Sequence, residues 1–368
     1  MQMTAEQLRW HRLGRSGLRT PFAGVEEACR ALVGVQSQIL PAAGIAIWNR
    51  TPRLSAADLT RKLYVERTLL KLWGQRGTLH LYPSGEWPMI YAAQADLRTY
   101  WERQAARLGS SLEEHEALVS AVAAMLRERE SLGRSDLRAS GLPLDDLHLS
   151  GWGGIFAVLV RRGLACHAEP VNGEARVAHR ERWLPGLVWA PPTPEQANIE
   201  LARRYIAAYG PATVQDLAYW RGRSMGDVRR WVRALGDELT TVVVDGVPML
   251  ALRAALPDPA DLPPARDGWP VRLLGRFDPL LLGMREKSWL LDMAHYNRVW
   301  RPAGHIEATV LVAGRIAGTW RYDWRGGGVA ISVEPFKPLP RYVQQAVERQ
   351  AEGVARYLDA QLSELSYR

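Results

Sequence analysis

The sequence is poor in cysteine, lysine, phenylalanine and long apolar runs. Its two cysteines, Cys29 and Cys166, stand far apart, and no C-x-x-C spacing occurs. That excludes a disulfide scaffold and a cysteine-rich zinc site, and it suits a cytoplasmic protein. Lys71 breaks the apolar run Leu69–Trp73, and Asp278 soon follows Leu273-Leu274. Nothing approaches the ~20 residues of a membrane span. The segment Met1–Arg12 is polar and helical in character, without the apolar stretch of a signal peptide. The histidines are scattered singly. His115-Glu116 opens like the zinc motif H-E-x-x-H, but Val119 stands where the second histidine belongs. No metal and no cofactor is therefore expected. No P-loop is present, and Gly151-Trp152-Gly153-Gly154 precedes a helix, where it reads as a cap and close packing point.

Arginine and tryptophan are what the chain has instead. Its 47 lysines and arginines include only four lysines, so 43 are arginine, and the formal net charge is +8. Part of this reflects base composition, and a solvated basic surface would account for some of it. Guanidinium groups also bind phosphates bidentately, so a polyanionic partner is the functional reading. Fifteen tryptophans beside four phenylalanines fill cores or stack on bases. With 368 residues, two or three domains are expected.

The first two-thirds alternates helices with short strand pairs. Thr4-Ala5-Glu6-Gln7 is a capping box that starts a helix ended by Gly14 and Gly17. Val25–Gln38 has Ala28, Leu32 and Val35 on one stripe and predicts a second helix, ended by Pro41. Ala42–Trp48 follows as a short segment, and Ser55-Ala56-Ala57-Asp58 caps a helix to about Val65. A hairpin is then predicted from Leu69–Trp73 and Thr78–Tyr82 around Gly74-Gln75-Arg76-Gly77. Three helices and a hairpin are the order of a winged helix. The order recurs. Long helices are predicted over Glu86–Leu108 and Leu112–Arg129, a short one from Gly133, and one over Leu149–Arg162. Leu164–Val171 and Ala175–Trp183 form the wing. After the Pro-rich joint Ala190–Pro194, capping motifs at Thr193, Thr213 and Ser224 open three helices. Thr240–Val244 and Val247–Leu252 pair around Asp245-Gly246. Three winged-helix units are thus predicted, at 1–83, 84–190 and 191–254.

Beyond Pro257 the helical period fades. A Pro-rich linker and a small β-barrel are predicted over 255–338, with strands at Val271–Leu274, Ser288–Asp292, Ile306–Val312, Arg315–Tyr322 and Gly328–Val333. A last helix, Pro340–Leu365, belongs to 339–368. The fold class is α+β.

Gly222-Arg223-Ser224-Met225-Gly226 matches the G-x-S-x-G elbow of serine hydrolases, which needs a strand before it. Leu217–Trp220 is helical, so Ser224 is better explained as an N-cap. Two other segments are harder to explain as packing. Gln36-Ser37-Gln38 sits at the end of the second predicted helix. Arg76, Thr78 and His80 would share one face of a strand, placing a cation, a hydroxyl and an imidazole in a row. A helix end with harmless glutamines and a solvated strand face are the plainer alternatives.

Val33-Gly34-Val35-Gln36-Ser37-Gln38 and Trp73-Gly74-Gln75-Arg76-Gly77-Thr78-Leu79-His80-Leu81 resemble the winged-helix DNA glycosylases of the AlkZ/YcaQ type. So do Arg276-Phe277-Asp278-Pro279-Leu280-Leu281-Leu282-Gly283 with Arg285, and the stretch Thr309–Trp320. The resemblance spans nearly the whole chain in the right order. It implies three winged helices and a β-barrel in a C-shaped body around a basic concave channel. It also implies a monofunctional hydrolase that removes alkylated purines from duplex DNA, with cross-link unhooking in some members. The catalytic Gln-aliphatic-Gln/Asp motif falls on Gln36, Ser37 and Gln38, with Ser37 departing from the aliphatic norm. Arg76, Thr78, His80, Arg276, Asp278, Arg285, Arg315 and Arg321 are the expected DNA-binding residues. The hairpin turn Ala313-Gly314 is the expected minor-groove element. The expected partner is damaged double-stranded DNA bound by a monomer in the bacterial cytoplasm, nucleoid-associated when on DNA. A non-enzymatic winged-helix regulator is the alternative. It would explain the charge and the wings but not the barrel.

Overall fold

The computed structural model describes residues 1–51, 53–95, 105–107, 109, 111–150 and 154–368. The chain forms two compact units. One combines Met1–Leu59 with Ile199–Arg368; the other is Thr60–Asn198.

In the first unit, Thr4 and Gln7 close the expected capping box on helix Ala5–Arg15. Helix Val25–Ala31 is shorter than its apolar stripe predicts. Val33 (φ 57°) and Gly34 (φ 92°) take left-handed backbone and turn the chain out of the helix. Val35–Gln36 is a strand, and Pro41 lies in the first turn of the next helix, Leu40–Trp48. Proline starts that helix rather than ending the previous one, because an N-terminal turn needs no proline N–H. Later in the unit, Thr213 and Ser224 cap helices Val214–Arg221 and Met225–Leu235 as expected. Hairpin Leu239–Val244/Val247–Leu252 turns at Asp245-Gly246, both at positive φ. Strand Gln2–Met3 joins it parallel to Val243–Val244.

The predicted barrel is instead an open five-stranded sheet. Its order is Arg272–Leu274, Thr309–Val312, Arg315–Arg325, Gly328–Pro335 and Leu362–Tyr367. The first four strands are antiparallel, and the last runs parallel to its neighbour. Ser288–Asp292 is not a strand; Ser288–Leu290 is a turn. The last helix is Arg341–Tyr357, not a helix to Leu365. Asp359 at φ 56° turns the chain, and 362–367 becomes a sheet edge. This helix packs on the sheet and on helix Leu40–Trp48 through small residues. A Cβ at Gly353 would lie 2.6 Å from the Trp48 ring, and one at Gly44 would overlap the Tyr357 hydroxyl. Trp10, Leu13, Trp269, Leu281, Leu290 and Leu311 belong to one buried hydrophobic cluster of this unit.

In the second unit, hairpin Leu69–Trp73/Leu79–Pro83 precedes helix Trp87–Ala92. The predicted helix 86–108 falls partly outside the described residues, as do Gly151, Trp152 and Gly153. Ser111 caps helix Leu112–Glu128. Helices Arg134–Arg138 and Ile155–Arg161 follow, with a three-stranded sheet ordered Leu132–Gly133, Glu174–His179, Ala165–Val171.

The arginine and tryptophan excesses meet in both units. Arg19 stacks on Trp10 at 4.2 Å and Arg12 on Trp289 at 4.5 Å; Arg67 stacks on Trp183 at 4.0 Å and Arg180 on Trp189 at 3.9 Å. Each is a cation over an indole face, so part of this composition is structural.

Candidate active site

Gln36 ends strand Val35–Gln36, and Gln38 lies in the bend that leads into helix Leu40–Trp48. This corrects the expected helical placement and removes its difficulty. Residues i and i+2 diverge by roughly 200° on a helix, whereas a strand end followed by a bend lets the two side chains meet. The Gln36 amide Nε2 donates to Gln38 Oε1 at 2.7 Å. Gln36 is buried at 6% exposure, whereas Gln38 is half-buried and reaches solvent. Ser37 lies between them. It is fully buried, and its Oγ has no hydrogen-bond partner among the described residues. That is where the family pattern has an aliphatic side chain.

The far end of the same helix is tied down by charge. Arg50 Nη1 and Nη2 donate to Asp278 Oδ2 and Oδ1 at 2.8 and 2.7 Å, with both side chains at 0% exposure. Arg50 also donates to the carbonyls of Ser16 (2.8 Å) and Ala46 (2.7 Å). Asp278 accepts from the Leu280 N–H at 2.9 Å. Asp278 is therefore not a DNA-binding residue: it is sealed in the core, and its oxygens are used. Close approach continues at Gly275, where a Cβ would sit 2.7 Å from the Ala42 carbonyl. Phe277 takes φ 57°, a costly backbone for a bulky residue.

The strand predicted to carry Arg76, Thr78 and His80 does not begin until Leu79. Gln75–Gly77 is a 3-10 turn with Arg76 at φ 54° and Gly77 at φ 66°. Only Arg76 keeps its expected character, a half-exposed cation at a turn. The Thr78 hydroxyl donates to the Gln75 carbonyl at 3.0 Å. His80 is buried at 4% exposure, with Nδ1 3.0 Å from the Thr78 carbonyl. The Tyr82 hydroxyl donates to Gln75 Oε1. Thr78 and His80 thus belong to the packing of the hairpin, beside the left-handed turn at Arg76-Gly77.

The remaining expected DNA-binding residues are in the first unit. Arg285 and Arg321 are exposed. Arg276 and Arg315 are half-buried. Arg315 Nη1 donates to the Ser288 carbonyl at 3.4 Å. Burial, with repulsion from Arg315, lowers the pKa of Arg9. The Ala313-Gly314 turn does not project as a minor-groove element should. Gly314 is buried, and a Cβ there would lie 2.7 Å from the Trp269 ring and 3.2 Å from Arg9 Cβ. Sequence reasoning missed Arg50, which has no local signal because its partner is 228 residues away. It also missed His305, which lies beside Arg276. Among the described residues, no three His, Cys, Asp or Glu side chains converge to hold a metal ion.

The family model for AlkZ-like DNA glycosylases matches residues 29–357. A curated relative, the interstrand DNA cross-link repair glycosylase of Streptomyces sahachiroi, is 29% identical over 336 residues, covering 88% of each chain. The solved structure of the Streptomyces sahachiroi DNA glycosylase AlkZ superposes with a TM-score of 0.80 at 27% identity, covering all of both chains. With a paired Gln-x-Gln at the head of a pinned helix and a family match over most of its length, the chain belongs to the AlkZ-like DNA glycosylases.

Proposed function

We propose that this protein is a monofunctional DNA N-glycosylase that hydrolyses the glycosidic bond of cationic alkylated purines of the N7-alkylguanine type. The observation that carries the reading is the 2.7 Å contact between the Gln36 and Gln38 amides. Alkylation at N7 places positive charge on the base, which then leaves as a neutral species without a strong general acid. The sugar develops oxocarbenium character, and water must reach C1′. Gln38 Oε1 keeps a lone pair beyond the one occupied by Gln36, and that lone pair orients the water. The carbonyl dipole favours the developing cation. Gln36 fixes the rotamer of Gln38 and polarises its amide. Neither amide deprotonates water, which restricts the site to labile, charged lesions.

Duplex DNA is the proposed partner, held by phosphate contacts from Arg76, Arg276, Arg285, Arg315 and Arg321. Three winged-helix units remain the proposed framework, supported by the helix order and the hairpins at 69–83, 165–179 and 239–252. Interstrand cross-links formed through purine N7 present the same cationic leaving group. The name of the Streptomyces relative supports them as a second substrate.

Release of 7-methylguanine from methylated duplex DNA tests the reading. The wild type should release the base, and Gln38→Ala should not, with the fold intact. Wild-type release by Gln38→Ala would remove the catalytic assignment. DNA binding with no release at all would favour a non-enzymatic winged-helix binder.

A further inference from the structure

The loop that Asp278 anchors carries an unneutralised cation. Arg276 Nη2 lies 3.3 Å from His305 Nδ1, and Arg276 Nε donates to the Ile306 carbonyl at 3.4 Å. Its guanidinium carbon stands 5.8 Å over the Phe277 ring. Among the described residues no carboxylate lies within ion-pair distance of either Arg276 or His305. The neighbouring Glu307 is paired with Arg301 at 3.2 Å. A guanidinium has no lone pair to offer, so the hydrogen bond between the two side chains runs from arginine to imidazole. Nδ1 is then the acceptor, and the ring proton sits on Nε2. His305 is exposed. The pair presents the unused N–H groups of Arg276 together with the Nε2–H of His305.

The supporting structure is rigid. Phe277 takes left-handed backbone, φ 57°, between Arg276 and Asp278. The buried Arg50–Asp278 pair fixes the next residue, and Gly275 lies against the Ala42 carbonyl, in the first turn after Gln38. Two donors without a counter-charge, held beside the helix that follows the glutamines, suit a tetrahedral anion. We infer that Arg276 and His305 form one binding site for a single backbone phosphate of the bound DNA strand, with Phe277 and Asp278 as positioning residues. The inference rests on the glycosylase reading and adds to it one histidine and a definite stoichiometry.

The test is the salt dependence of binding to a labelled undamaged duplex, followed by anisotropy for the wild type, Arg276→Ala, His305→Ala and the double variant. One phosphate contact contributes about 0.9 to the slope of log affinity against log salt. Each single variant should bind more weakly. Arg276→Ala should flatten the slope by about that amount, and the double variant should flatten it no further. His305→Gln, which retains an N–H donor, should recover most of the His305→Ala loss. Unchanged affinity and slope in both single variants would overturn the site. So would a double variant flattened by about two contacts, since the residues would then hold separate phosphates. Release of 7-methylguanine by the same variants at low salt reports on the glycosylase reading independently. That reading stands if release persists while the phosphate site fails.

Discussion

Helix Leu40–Trp48 has a polar pair beyond each end, and the two differ in nearly every respect. At the start, two neutral amides share one hydrogen bond, one side chain buried and the other open to solvent. At the end, a guanidinium and a carboxylate share two hydrogen bonds in full burial, with two backbone carbonyls and one backbone N–H as further partners. Buried ion pairs add little net stability over apolar packing, yet removing one member leaves an uncompensated charge. The ion pair is sealed from any substrate by its burial and therefore positions. The glutamine pair keeps Gln38 half-exposed, which suits the water-orienting role proposed for it. Sequence type alone points the other way, since Asp278 is the more reactive residue in isolation.

The contrast breaks at definite places. Asp278→Ala should cost about 3–5 kcal/mol by leaving Arg50 charged and unpartnered in the core. Denaturant unfolding measures this, and a loss under about 1 kcal/mol would mean that water reaches the pair. Gln38→Ala should slow base release by about 100- to 1000-fold, the range for losing one oriented polar group in a reaction centre. Its unfolding midpoint should not move. Gln36→Ala removes only the group that holds Gln38, so single-turnover release should fall by about tenfold or less. A loss as deep as that of Gln38→Ala would give Gln36 a direct role. Smallest and opposite in sign, Ser37→Ala should raise stability by about 1 kcal/mol, because a buried hydroxyl without a partner carries an uncompensated desolvation cost. Activity should be retained. A destabilised Ser37→Ala would show that the hydroxyl is hydrogen-bonded in solution.

Local signals in the sequence were accurate where the physics is local. The capping residues Thr4, Thr213 and Ser224 and the turn at Asp245-Gly246 needed only neighbours within four residues. The Gln-x-Gln pair was visible as a motif, but its geometry was not. The apolar stripe Ala28–Leu32–Val35 continues past the true helix end, and only the left-handed turn at Val33-Gly34 separates helix from strand. The open sheet was misjudged for a similar reason. Residues 362–367 continue the composition of helix Arg341–Tyr357, and pairing with Gly328–Pro335 decides their state. Arg276 was legible as a cation, but the burial of Asp278 two residues later depends on an arginine far away in the chain.

The pairing of Arg50 with Asp278 also sets a timetable for synthesis. Gln36, Gln38 and their helix leave the ribosome early, but their anchor is translated 228 residues later. At about 5–20 residues per second, the interval is roughly 10 to 50 seconds. Throughout it the nascent N-terminal segment carries an arginine side chain whose buried place in the fold does not yet exist. The contiguous unit Thr60–Asn198 is fully synthesised within that interval, free to fold while Met1–Leu59 waits for the residues that complete it.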